Sequence, residues 1–199
     1  MIAEKSEMIF GVRAVIEAIQ AGKEIDKILV KRDIQSDLSK ELFAVLKGTL
    51  IPVQRVPVER INRITRKNHQ GVIAFVSAVE YASIETVIPT LFEEGKNPLI
   101  VLLDGITDVR NFGGIARSAE CAGAHGLITP LKNSAPVNGD AIRSSAGALN
   151  NIPVCRVGSI RNTIKALQAE GFQAVAATEK SRKLIYDADI RKPTIIIMG

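Results

Sequence analysis

Between Leu103 and Gly126 the chain reads LDGITDVRNFGGIARSAECAGAHG, and this stretch holds the side chains best able to do chemistry. It passes from an aliphatic strand through a polar loop into a glycine-opened helix. Exposed N–H groups at a helix start attract anions, RNA phosphate among them, and the Gly113-Gly114 pair would leave that start sterically open. The competing account is a tight turn that binds nothing. The glycines do not make a dinucleotide fingerprint, which needs G-x-G-x-x-G where the helix opens. Gly105, Gly113 and Gly114 are spaced otherwise, which disfavours a nucleotide-dependent oxidoreductase. Asp104 and Asp108 offer carboxylates for acid–base work or Mg²⁺, but no histidine accompanies them inside the motif, so we assign them structural roles and expect no metal. Taken alone, Arg117 is a solvated arginine and Asn111 a turn or N-cap residue.

A second candidate group is basic. Arg60, Arg63, Arg66 and Lys67 fall within eight residues. On any helix there Arg63 and Lys67 are i, i+4, so one face would track phosphates, against the alternative of a solvated face. His69 and Gln70 follow directly, and we read His69 as a turn residue rather than a general base. Arg143, beside Ser144 and Ser145, is a further phosphate candidate. The net charge of +5 is unevenly spread: residues 1–78 hold 13 Lys/Arg against 9 Asp/Glu, whereas residues 79–199 hold 13 against 12. Excess positive charge thus favours a polyanionic partner for the first segment. Trp is absent and aromatics make up only 4%, which leaves little for non-specific stacking of single strands. Backbone and shape contacts are the expected mode.

The elements that must position these groups follow from periodicity. Val12, Val15, Ile16 and Ile19 give a helix bracketed by Gly11 and Gly22, a strand covers Lys27 to Val30, and Leu38, Leu42, Val45 and Leu46 give a second helix over Asp37 to Lys47. Leu50 to Val56 and Gly71 to Ala78 read as strands. Glu80 to Asn97, with Pro89, marks connector and surface. Beyond it, Leu99 to Leu103, Gly126 to Thr129, Pro153 to Val157, Gln173 to Ala177 and Thr194 to Met198 are strands, separated by helices at Gly114 to Ala124 and Ile160 to Glu170. Continuous aliphatic strands alternating with helices imply a parallel sheet covered on both faces, whose ligands bind outside the strands' carboxyl ends. Cys121 and Cys155 lack ligand spacing, and the aliphatic runs are far too short to cross a bilayer. Met1 to Met8 shows no export signal, so a cytoplasmic protein without membrane association is expected.

The motif Asp104, Asp108, Asn111, Gly113, Arg117, Ala119, Gly123 and Ala124 resembles the first signature of the SpoU (TrmH-like) RNA 2′-O-ribose methyltransferases of the SPOUT superfamily. Val109 stands where the family usually has proline. MIFGVRAVIEAIQAG at Met8 to Gly22 and NHQGVIA at Asn68 to Ala74 are similar to the ends of the family's substrate-binding domain, SSAGALNNIPV at Ser144 to Val154 to its mid-domain loop, and TIIIMG at Thr194 to Gly199 to the strand opening its second motif. The likeness is strongest to the ribosomal-RNA branch.

This resemblance implies an α/β fold with an L30e-like substrate-binding domain over 1–78, a linker and first helix over 79–97, and a SPOUT-type parallel domain over 98–199. It also implies a trefoil knot formed by polypeptide after the last glycine, together with a later Ser-Leu-Asn motif; the 199 residues hold neither, so the methyl-donor site is expected to be incomplete. By the same resemblance Arg117 contacts the target ribose and helps deprotonate its 2′-hydroxyl, and Asn111 holds Arg117 or the sugar. Ala177, Thr178, Met198 and Gly199 would line the S-adenosylmethionine site, and Arg63, Lys67, His69, Gln70 and Arg143 are the RNA-contact candidates. The implied partners are RNA, ribosomal more than transfer, and a second copy of the chain in a homodimer. The alternative is a non-catalytic RNA-binding module.

Overall fold

The computed structural model describes residues 8–199, so most of the Met1 to Met8 stretch lies outside the described residues. The chain forms two compact units: one comprises the residues up to Ala78 together with Pro136–Gly139, the other Val79–Ala135 and Asp140–Gly199.

The first unit is built on a four-stranded sheet of order β1-β4-β2-β3, from β1 (Met8–Phe10), β2 (Ile25–Lys31), β3 (Val53–Val56) and β4 (Val72–Val76). The sheet is mixed: β4 runs antiparallel to β1 and β2, and β2 and β3 are parallel. Helices α1 (Val12–Gln20) and α2 (Asp37–Leu46) bury Val12, Val15, Ile16, Leu42 and Leu46 against Ile28, Val30, Val72 and Ala74. The periodicity placed both helices. Leu50 to Val56 shortens to Val53–Val56, because Thr49 Oγ1 donates to the Leu46 carbonyl at 2.9 Å and holds the chain in a turn before the strand begins.

A third helix, α3 (Val58–Ile64), carries Arg60 and Arg63 but stops before Lys67. Thr65 is extended at φ −150°, ψ 147°, and its hydroxyl accepts from Lys67 N at 3.2 Å. The expected helical i, i+4 pairing of Arg63 with Lys67 is therefore corrected: Lys67 instead lies over the Phe10 ring, 5.3 Å from its centroid.

The second unit contains a six-stranded sheet of order β5-β8-β7-β6-β10-β9, parallel throughout, from β5 (Tyr81–Ala82), β6 (Leu99–Leu103), β7 (Gly126–Pro130), β8 (Val154–Val157), β9 (Gln173–Ala176) and β10 (Thr194–Met198). Chain order leaves β6 in one direction toward β7 and β8, then returns on its other side with β9 and β10. Right-handed crossovers place α5 (Val109–Cys121) on one face and α4 (Ile84–Glu93) with α7 (Ile160–Ala169) on the other. The second face is visible in packing: Ile88, Leu91 and Leu167 bury against Ile100, Leu102, Ile128, Cys155 and Ile195. Glu80 to Asn97 is thus not connector alone. It supplies an edge strand and a core helix, which carries Pro89 at an exposed position while Ile88 and Leu91 face the core.

Candidate active site and RNA-contact surface

The reversal of strand order falls between β6 and β10, whose carboxyl ends lie side by side. Asp104 N donates to the Met198 carbonyl at 2.7 Å. A side chain at Gly199 would collide with the Asp104 carbonyl oxygen, and its Cβ would fall 3.3 Å from the carbonyl carbon. In a parallel sheet this is the position where a crevice forms. One strand further, Ala177 N donates to the Ile197 carbonyl at 2.9 Å, so the ends of β9 and β10 are level. Ala177, Thr178, Met198 and Gly199 accordingly meet on two adjoining strand ends.

A cleft of about 570 Å³ opens beside them, lined among others by Val175, Ala177, Thr178, Leu184, Asp187 and Ile196. Ile196 pairs in register with Val101 and so points away from the α4/α7 core, onto the α5 face. The floor is the β9–β10 sheet surface and the wall is the connection between those strands, which includes a 3-10 turn at Ile185–Asp187. Ala177 and Thr178 reach this cleft; Met198 and Gly199 stand at the next strand end without lining it.

Helix α5 begins five residues before the expected Gly114. Asp108 is its N-cap, and a carboxylate oxygen accepts from Asn111 N at 2.8 Å. This satisfies one of the helix's orphan donors and supports the structural role given to Asp108. The Gly113-Gly114 pair therefore lies inside the helix, which corrects the expectation of an open helix start. Gly113 is buried, and a Cβ there would fall 2.7 Å from Ser144 Cβ and 2.8 Å from Ser145 N. Gly114 has nothing within 4 Å. Ser144 ends α6 (Gly139–Ser144); its hydroxyl lies 3.2 Å from the Val109 carbonyl and 2.8 Å from that of Asp140. Arg143, one residue earlier, is exposed and ion-paired with Asp140.

Asn111 and Arg117 are both exposed on α5. Six residues separate them, so they stand about 9 Å apart along the axis and about 120° apart around it. No hydrogen bond joins them, and among the described residues neither side chain has a protein hydrogen-bond or ion-pair partner. They do not share a face of the helix, and neither lines the cleft beside the β9 and β10 ends.

In the first unit, Glu59, Asn62, Arg63, Ile64, Thr65 and Arg66 line an open cleft of about 750 Å³ on α3. His69 and Gln70 are engaged internally. His69 Nδ1 accepts from Gly71 N at 2.9 Å and Nε2 lies 2.8 Å from Asn62 Oδ1. Gln70, at φ +50°, turns its Oε1 to within 3.3 Å of Val12 N and so caps α1, whose N-cap residue Gly11 has no side chain to do so. Asn62 was not among the residues expected from sequence. Its link to His69 is tertiary and leaves no mark in the order of the letters.

Residues 98–199 match the SpoU rRNA Methylase family, and residues 8–82 match the family description "RNA 2′-O ribose methyltransferase substrate binding". A relative from Staphylococcus saprophyticus, named for the TrmH family of tRNA/rRNA methyltransferases, is 32% identical over 192 residues, which is 96% of this chain and 77% of that protein. The chain belongs to the SpoU methyltransferase family. Among solved structures, the AdoMet-bound rRNA methyltransferase of Sinorhizobium meliloti has a TM-score of 0.50 at 26% identity, covering 96% of this chain and 69% of that one. The SpoU methyltransferase AviRb of Streptomyces viridochromogenes, in complex with AdoMet, has a TM-score of 0.53 at 24% identity, with 96% and 72% covered, and shows the shared fold. The SpoU match spans β6 to β10, so both the strand ends at the reversal and α5 lie inside it. Among the described residues no group of three or more His, Cys, Asp or Glu could hold a metal, and no helix is long and apolar enough to cross a membrane.

Proposed function

We propose that this chain transfers a methyl group from S-adenosylmethionine to a ribose 2′-hydroxyl of ribosomal or transfer RNA, ribosomal RNA being the preferred substrate. The observation that carries the reading is the level meeting of the β6, β9 and β10 carboxyl ends at the strand-order reversal, with α5 rising from the first of them. The residues there fit the donor: Ala177, Thr178 and Gly199 are small enough for backbone to approach a ligand closely, and the neighbouring cleft opens on the α5 face. Ala177 and Thr178 would contact the donor from the cleft, with Met198 and Gly199 at the adjoining strand end. When bound, S-adenosylmethionine supplies a methyl carbon on a positively charged sulfur.

Arg117 and Asn111 would act on the sugar. A guanidinium keeps its proton near neutrality and cannot serve as the base. Arg117 therefore orients the 2′-oxygen and stabilises negative charge developing on it, while the proton passes to an RNA phosphate or to water. Asn111 holds the ribose through its amide. Arg143 sits on the helix that packs against α5 and would take a neighbouring phosphate. In the first unit Arg63, with Arg66 beside it, would engage RNA backbone at the α3 cleft, and Lys67 would add charge nearby. The reading includes a cytoplasmic homodimer, for which sedimentation would give twice the 21.5 kDa chain mass.

Incubation with methyl-tritiated S-adenosylmethionine and either ribosomal or transfer RNA tests it. A methylated ribose blocks alkaline cleavage of the next phosphodiester, so label is expected in alkali-resistant dinucleotides. RNA binding without transfer would leave the non-catalytic alternative.

A further inference from the structure

Asn62 lies on the wall of the α3 cleft, and its amide is held in one orientation. A backbone N–H only donates, so Gly71 N at 2.9 Å from His69 Nδ1 makes that nitrogen the acceptor and leaves the ring hydrogen on Nε2. Nε2 stands 2.8 Å from Asn62 Oδ1, which accepts it. A flipped amide would set its NH₂ against the Nε2–H, donor against donor. With its oxygen engaged, Asn62 has its NH₂ left to offer in a cleft that also holds Arg63 and Arg66. The lining residue that carries a carboxylate is Glu59. A lip so rich in donors suits the acceptor groups of RNA, namely phosphate oxygens and the acceptor edges of bases.

We infer that Asn62 is a specificity-determining contact, its NH₂ donating to an acceptor on the RNA, and that His69 is a positioning residue acting through it. The inference rests on the reading of this unit as the RNA-capturing one. His69 in this role needs no contact with RNA of its own.

Fluorescence anisotropy of the whole chain with dye-labelled fragments of ribosomal RNA, measured across a salt series, tests this. Asn62→Ala is expected to weaken binding about fivefold at every salt concentration, without changing the slope of log K against log salt, because a neutral donor releases no counterion. Arg63→Ala is expected to reduce that slope by about one. His69→Ala is expected to weaken binding in the parent chain and to have no further effect in an Asn62→Ala background. Asn62→Asp keeps an acceptor for the His69 ring, and so keeps the turn, yet removes the outward donors; it is expected to bind more weakly than Asn62→Ala.

The inference is overturned if Asn62→Ala or Asn62→Asp binds like the parent while Arg63→Ala is impaired, or if the His69 and Asn62 effects simply add. If Arg63→Ala and Arg66→Ala both bind unchanged, RNA capture at this cleft is wrong and the inference falls with it.

Discussion

Gly113 and Ser144 pack so closely that only a hydrogen fits between the α5 backbone and the end of α6: a Cβ at Gly113 would lie 2.7 Å from Ser144 Cβ. One residue on, Gly114 faces open space within the same helix. Two adjacent glycines in one helix thus have opposite reasons to be there.

This gives a paired prediction. Gly113→Ala must push Ser144 and the Ser145 backbone aside and is expected to destabilise by about 1–3 kcal/mol, as overpacking does. Gly114→Ala is expected to stabilise by about 0.5–1 kcal/mol, through the lower backbone entropy of alanine in a helix. Urea unfolding followed by circular dichroism reads both. Equal signs for the two variants would contradict the packing described.

Asp108 should behave as a cap rather than an acid. Asp108→Ala is expected to cost about 0.5–2 kcal/mol, and Asp108→Asn to retain most of the stability, since an amide oxygen still accepts from Asn111 N. Methyl transfer by the Asn variant should stay within a few-fold of the parent. Loss of transfer with stability intact would return a catalytic role to this carboxylate.

Gln70 is expected to matter for the first unit's stability because its side chain caps α1. Gln70→Ala leaves the Val12 N–H without that acceptor and should cost about 0.5–2 kcal/mol. Hydrogen exchange at the first turn of α1 should accelerate by a matching factor; unchanged exchange there would show that the capping bond contributes nothing.

The two cysteines should part chemically. Burial, with the Glu85 charge adding to it, pushes the Cys155 thiol up to about 11, whereas Cys121 is exposed. The raised value means the folded state favours the neutral thiol. That contribution to stability is complete below the unfolded thiol value near 9 and is lost as pH rises toward 11. At pH 8 iodoacetamide is expected to modify Cys121 alone in the native chain and both residues in urea, as intact mass spectrometry would show. Rapid native labelling of Cys155 would contradict its burial on β8 in the core beneath α4 and α7.

Much of the scaffold was legible because long amphipathic or aliphatic runs declare themselves: Val12 to Ile19 forms α1, and Leu99 to Leu103 and Thr194 to Met198 form neighbouring parallel strands. What stayed hidden depended on contacts distant in sequence. The Gly113-Gly114 pair reads as a break in the pattern just before a helix, yet Asp108 caps α5 five residues earlier and Gly113 is required by Ser144. A first helix within 79–97 was expected from the resemblance alone; with Pro89 in it, the periodicity did not mark Ile88 and Leu91 of α4 as core residues. The antiparallel pairing of β4 with β1 and β2, which makes the first unit's sheet mixed, is likewise set by partners distant in sequence. At the candidate site, Arg117 and Asn111 came from a motif, and Asn62 became visible only once His69 was seen to hold it.

Arg117 is a solvated guanidinium without a protein partner among the described residues. Its removal should therefore cost the fold nothing, within about 0.5 kcal/mol. The decisive measurement compares methyl transfer to RNA ribose by the parent chain, Arg117→Ala and Arg117→Lys, alongside their unfolding curves. We predict transfer by the parent, at least a hundredfold loss in both variants, since a lysine cannot reproduce the planar fork, and superimposable unfolding. Undiminished transfer by Arg117→Ala would contradict the account.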